Sequence, residues 1–340
     1  MDAFARAAVS EREDAFAETA TQMGVDPIIA EKDFWVCWTL RRLFTLCDPK
    51  VNLIFKGGTS LSKAYRAIER FSEDVDVSID RHDLGFVSDR DPAGDGVGSN
   101  ERKRLLKELS AVAEAFVRER LQPSLRTAFA DALGHDNFAL DVDRDPQTLL
   151  FAYPRAAAGE RAGGYITPTV RLEFGARSDH APAEERTIVP YVHEVFPGLL
   201  DDAETVVKVL AVERTFWEKA TILHQIAHQP DDKPIRDRLS RHYMDLAKLA
   251  ASEFRERALS RLDLLEEVAE HKATFFPQAS ARYDIARPGT LRLVPGETAE
   301  KKLRADYRGM DEMTFGTTPN FDAILATLKD LEAEINATAS

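Results

Sequence analysis

Two short motifs at a fixed separation constrain this chain more than any other feature. A short apolar run over residues 51–55 reads as a buried strand, and Lys56-Gly57-Gly58 breaks it. Thr59-Ser60-Leu61-Ser62-Lys63 follows, and the apolar spacing from 60 to 71 predicts a helix. Glu73-Asp74-Val75-Asp76-Val77-Ser78-Ile79 then alternates with period two, as a strand with one buried face does. A strand that ends in Gly-Gly and enters a helix presents unpaired N–H groups at the positive end of the helix dipole, which suits an anion. Paired glycines let a phosphate chain approach without a Cβ in the way. Asp74 and Asp76, two apart, face one side while Val75, Val77 and Ile79 face the core. Two hard oxygen ligands on one face, 16 residues after Gly58, suit Mg²⁺ bridging protein and triphosphate. In a two-metal site the ions lie about 3.5–4 Å apart and stabilise attacking and leaving oxygens. Alone, a Gly-Gly turn is usually a turn and an Asp-x-Asp is usually solvated charge; their joint spacing is the specific signal.

The rest of the chain reads as helices, then mixed strands, then helices. Pro27 opens an apolar-periodic helix carrying Ile28, Ile29, Phe34, Trp35, Trp38, Leu40 and Leu43. An Asp/Gly-rich loop spans 80–100, a long helix is predicted from 101 to about 133, and strands at 137–143, 147–153 and 165–175, the last two joined by RAAAGERAGG. From about 205 the pattern is mostly helical. The expectation is an α/β (α+β) chain with a mixed sheet: residues 1–200 form a core with N-terminal helices, and 201–340 form a helical C-terminal region. Hydrophobic residues at 44% and charged residues at 30% exclude wholesale disorder. No apolar run approaches the roughly 18–20 residues of a membrane helix, and the acidic amino terminus is unlike a signal peptide. A soluble, cytoplasmic protein is expected. The net charge of −13 confines nucleic-acid contact to local basic patches. Cys37 and Cys47 lie ten apart on one predicted helix, about 15 Å at helical rise, too far to bridge. Two thiols give neither a disulfide framework nor a Cys-rich zinc site.

The string GGTSLSKAY…FSEDVDVSI resembles motif I of DNA-polymerase-β-type nucleotidyltransferases, and its wording is most similar to the AbiEii/AbiGii toxin family, which includes the mycobacterial MenT toxins. Glu31-Lys32-Asp33-Phe34-Trp35, Glu213-Arg214-Thr215-Phe216-Trp217-Glu218-Lys219 and Arg241-His242-Tyr243-Met244-Asp245-Leu246 resemble further family segments, with looser similarity at Ala305-Asp306-Tyr307. The resemblance implies a polymerase-β-like core and a nucleotidyltransferase toxin of a bacterial toxin–antitoxin or phage-defence pair. It implies that Gly57, Gly58, Thr59 and Ser60 cradle the phosphates of an NTP, and that Asp74 and Asp76 bind Mg²⁺, with Mn²⁺ as the alternative. Lys219 matches the lysine that contacts the triphosphate, and Asp245 the aspartate at the active-site rim. Lys63, one turn into the helix, is either a γ-phosphate contact or a surface lysine. The implied acceptor is RNA, the 3′ end of tRNA foremost, and the implied partner a cognate antitoxin protein.

Glu173 shares a strand face with Arg171, and is either a third acidic residue acting as metal ligand or base, or half of a surface ion pair. The 97 residues separating it from Asp76 exceed the usual spacing, with the helix after 101 as the insertion. His224 and His228 stand at i, i+4, but Gln225 replaces the glutamate that a zinc protease needs, so an ordinary helix face is favoured. Neither a P-loop nor a G-x-S-x-G elbow is present. Arg236, Arg238, Arg241 and His242, and seven Lys/Arg over 282–308, are either mixed-charge helix faces or a track for an RNA backbone. The reading is a Mg²⁺-dependent transfer of NMP to RNA with release of pyrophosphate. A nucleotidyltransferase acting on a small molecule or protein, or a non-catalytic nucleotide-binding protein, are the competitors.

Overall fold

Alternating burial along the second strand of the site builds the core from the middle of a sheet outward. The computed structural model describes residues 1–46, 48–72, 74–156, 167–309 and 318–338, so Cys47, Glu73 and most of the RAAAGERAGG turn lie outside the described residues. The chain divides into two compact units: Met1–Ala64, Phe71–Asp91 and Lys103–Val209 form one, and Tyr65–Arg70, Pro92–Arg102 and Leu210–Ser340 the other.

The first unit holds a mixed seven-stranded sheet of β1 (Leu53–Lys56), β2 (Asp74–Ile79), β3 (Ala139–Val142), β4 (Thr148–Ala152), β5 (Val170–Gly175), β6 (Ala183–Ile188) and β7 (Thr205–Leu210), in the order β3-β4-β5-β2-β1-β7-β6. β1 runs antiparallel to β2 and parallel to β7, β2 parallel to β5, and β4 antiparallel to both β3 and β5. Its helices are α1 (Asp2–Ala5), α2 (Val9–Met23), α3 (Pro27–Thr45), α4 (Gly57–Lys63), α5 (Ser99–Phe116), α6 (Gln122–Leu133) and α7 (Tyr191–Val195). Val75, Val77 and Ile79 on β2 and Val170 and Leu172 on β5 are buried as the alternation requires. α3 starts where Asp26 accepts a hydrogen bond from the Ile28 N–H and Pro27 takes a first-turn position that needs no donor. Its Phe34, Trp35 and Trp38 are fully buried, with Trp35 stacked on Tyr153 at 5.4 Å and Trp38 edge-on to Phe129 at 4.9 Å.

The structure differs from the sequence expectation in four elements. The helix after Gly58 ends at Lys63 instead of near 71, and Arg66 takes a left-handed φ of 51°. The long helix predicted from 101 is α5, a wide π turn over Val117–Leu121, and α6. Pro123 in the first turn of α6 explains the break, because its ring lacks a donor and collides with a carbonyl one turn back. β6 and β7 were not foreseen.

The second unit is helical: α8 (Val212–Ala227), α9 (Ser240–Ala250), α10 (Phe254–Leu259), α11 (Asp263–Phe275), α12 (Glu297–Tyr307) and α13 (Phe321–Ala337). α9 packs against α8 and α13, and α8 against α11. Asp306 of α12 caps α9, accepting from the Arg238 N–H at 2.6 Å, the Ser240 N–H at 2.8 Å and the Ser240 hydroxyl at 2.6 Å. Among the described residues, no helix is long and apolar enough to cross a membrane.

Candidate active site

β1 and β2 are in register so that Lys56 lies opposite Asp76, which brings the Asp76 carboxylate over the first residue of α4. Gly57 adopts φ 78°, and a Cβ built there would overlap the Asp76 carboxylate. The missing side chain therefore makes room for the Asp76 carboxylate. The Thr59 hydroxyl donates to the Asp74 carbonyl, with the Ser72 carbonyl 3.1 Å away, so it ties α4 to the start of β2. Ser60 is fully buried and its hydroxyl donates to the Gly57 carbonyl at 2.9 Å. Thr59 and Ser60 thus spend their side chains on the shape of the bend.

The parallel pairing of β2 with β5 sets Asp74 opposite Arg171 and Asp76 opposite Glu173, with all four half-buried on one face. Arg171 Nε donates to Glu173 Oε1 at 2.7 Å and lies 4.0 Å from Asp74 Oδ1, while its Nη1 donates to Asp143 Oδ2. Burial alone would lower the Arg171 pKa, but hydrogen bonds to Glu173 and Asp143 raise it above the ordinary arginine value. Among the described residues, no three Asp, Glu, His or Cys side chains are gathered closely enough to hold a metal.

Lys63 stands neither on the surface nor in open solvent. Its ammonium is buried, 2.8 Å from Asp33 Oδ1 and 3.9 Å from the centre of the Tyr191 ring. Burial opposes that charge and Asp33 more than offsets it, so the Lys63 pKa lies above the ordinary lysine value. The other Asp33 oxygen accepts from the Tyr191 N–H at 2.6 Å, and Glu31 accepts from the Ala156 N–H at 2.6 Å. The Glu31-Lys32-Asp33 segment thus anchors three distant stretches of the first unit to α3.

In the second unit the Asp245 carboxylate is fully buried, in place of the rim position expected from sequence. It accepts from Arg70 Nε at 2.7 Å, from Arg70 Nη2 at 2.8 Å and from Lys219 Nζ at 2.7 Å. Burial pushes its pKa up, and Arg70 and Lys219 reverse this, holding the carboxyl well below the usual carboxylate range. Two cations share one carboxylate, so burial prevails at Lys219 and lowers its pKa. Burial, with Lys219 and Arg241 adding repulsion, pushes His242 well below the ordinary histidine value. Arg70 was missed from sequence because a single arginine in an irregular stretch carries no pattern. His224 uses both ring nitrogens structurally, with Nδ1 accepting from the Arg292 N–H at 3.0 Å and Nε2 3.1 Å from the Arg282 carbonyl. That leaves no lone pair for a metal.

The AbiEii family model, described as a nucleotidyl transferase toxin of a type IV toxin–antitoxin system, matches residues 38–327. The chain belongs to the AbiEii nucleotidyltransferase toxin family. Among solved structures it is similar to MenT4, a nucleotidyltransferase toxin from Mycobacterium tuberculosis H37Rv, with 17% identity, a TM-score of 0.50, and coverage of 95% of this chain and 89% of that one. That likeness shows a shared fold. No curated protein matches the sequence.

For an AbiEii-type site, the donor set suits Mg²⁺. Asp74 and Asp76 place two carboxylates on one half-buried face, the kind of hard oxygen donor that Mg²⁺ takes when water and substrate phosphate complete its shell. Glu173 shares the face but is engaged by Arg171, so the ion-pair alternative read from sequence is the arrangement present.

Proposed function

We propose that this AbiEii-family enzyme transfers a nucleoside monophosphate from an NTP to an RNA acceptor in the cytoplasm, the 3′ end of tRNA being the acceptor its resemblance implies. The observation that carries the reading is the Asp76 carboxylate seated over Gly57, which joins the acidic strand and the glycine bend into one locus. The acceptor hydroxyl attacks the α-phosphorus in line, the α–β phosphoanhydride bond breaks, pyrophosphate leaves, and the hydroxyl proton passes to solvent. Asp74 and Asp76 would hold Mg²⁺, which when bound neutralises charge on the phosphoryl oxygens. Gly57 and Gly58, half-buried beside those carboxylates, would offer their backbone to the triphosphate. Thr59 and Ser60 act through the shape of α4, and Lys63 through its anchorage to Asp33, with no direct phosphate contact. Lys219 remains the candidate triphosphate contact of the second unit; Asp245 and Arg70 are positioning residues that hold it. A cognate antitoxin protein is the proposed partner.

The test is where the label goes. Purified protein is incubated with Mg²⁺ and each α-³²P-labelled NTP, with total RNA in one arm and total protein in another. Label in RNA, concentrated in the tRNA band and abolished by D76A, is the expected result. Label in protein or in small molecules with bare RNA would replace the acceptor assignment. No transfer with any NTP or acceptor would favour a non-catalytic nucleotide-binding protein.

A further inference from the structure

Three carboxylates lie against one guanidinium on the face shared by β2 and β5, with Asp76 beside them on β2. Asp74, Asp76 and Glu173 are neighbours by strand register, and Asp143 reaches in just beyond the end of β3. Arg171 is the cation among them: it binds Glu173 at 2.7 Å, hydrogen-bonds Asp143, and stays 4.0 Å from Asp74. Its side chain is 33% exposed, so its charge is less screened than that of a surface arginine. Glu173 stands directly opposite Asp76, yet no metal-holding group of three forms among the described residues.

Resting on the proposed metal role of Asp74 and Asp76, we propose that Arg171 is the built-in counter-cation of the metal site: it holds Glu173 and Asp143 off the Asp74–Asp76 pair, so the nucleotide-free enzyme offers two protein carboxylates and binds divalent metal weakly. Metal then binds well only together with a triphosphate, whose oxygens supply the ligands that Arg171 withholds. A guanidinium suits this role because its planar fork engages two carboxylates at once and never loses its proton. Arg171 is a positioning residue in this account, since it acts through Glu173.

Mn²⁺ titration into the full-length protein without nucleotide, by calorimetry, tests this. R171Q removes one positive charge beside the ion and releases Glu173, so it is expected to bind Mn²⁺ on the order of tenfold tighter than wild type. The R171Q/E173Q double variant should lose most of that gain. R171K keeps the charge without the fork and should fall between wild type and R171Q, which also covers the case in which R171Q does not fold. D76A should bind Mn²⁺ far more weakly than wild type. Equal or weaker Mn²⁺ binding by R171Q and R171K, with D76A impaired, would overturn the role of Arg171 alone. Wild-type Mn²⁺ binding by D76A would overturn the metal reading itself and this inference with it.

Discussion

Gly57 carries a left-handed φ of 78°, and the Asp76 carboxylate occupies the space of the side chain it lacks. Alanine there meets two separate penalties: a backbone cost of about 1–2 kcal/mol and displacement of the carboxylate. G57A is expected to lose about that much stability by chemical denaturation and nearly all transfer activity; full activity in a folded G57A would detach the bend from the site. Asp245 behaves differently, because it is buried with two cations. D245N leaves both cations without their counter-charge and should cost about 3–5 kcal/mol, since removing one partner strands the others in a low dielectric. A loss of less than about 1 kcal/mol in the unfolding free energy measured in urea would mean that water reaches the cluster. The Asp-x-Asp pair was legible in sequence because strand alternation fixes its facing. The inward turn of Thr59 and Ser60 was not, because a hydroxyl can serve the backbone or a ligand with the same spelling.

At the scale of elements, β1 was readable from its continuous apolar run and β2 from its alternation. β7 alternates as β2 does, with Val207 and Val209 buried and Val206 exposed, but it stands at the start of a helical stretch that masked it. β6 carries no such signal: Ala183-Glu184-Glu185-Arg186-Thr187-Ile188 buries only its last residue, as suits an edge strand protected by charge. Asp306 was legible only as a loose family likeness, and the structure gives it work at the start of α9. D306A is expected to destabilise the second unit by about 1–2 kcal/mol through the lost cap, read as a lower urea midpoint at unchanged m. Asp33 and Lys63 join α3 to α4, so either single removal should cost several times what the D33L/K63M double replacement costs, because an apolar pair leaves no stranded charge.

For the molecule as a whole, acid is the expected stress. His224 is held neutral, burial pushing its pKa down to about 4, and His242 is pushed well below the ordinary value for the same reason. Unfolded histidine takes its proton near pH 6.5. Below that the unfolded chain binds protons that the native state refuses, so stability falls as pH drops from about 6.5 toward 4. Denaturation midpoints measured across that window should decline, and H224Q should flatten the decline; a midpoint independent of pH would refute it. Family and fold class were legible because the motifs survive as short strings. The assignment of Tyr65–Arg70 to the second unit was not, since no local pattern announces which body an irregular stretch joins. Everything functional returns to one claim, that the acidic strand and the glycine bend form a single catalytic locus. Pyrophosphate release measured with saturating Mg²⁺, NTP and tRNA, comparing wild type with a folded D76N, tests it most directly. The account predicts release by wild type and none above background for D76N; equal rates from the two proteins would contradict it.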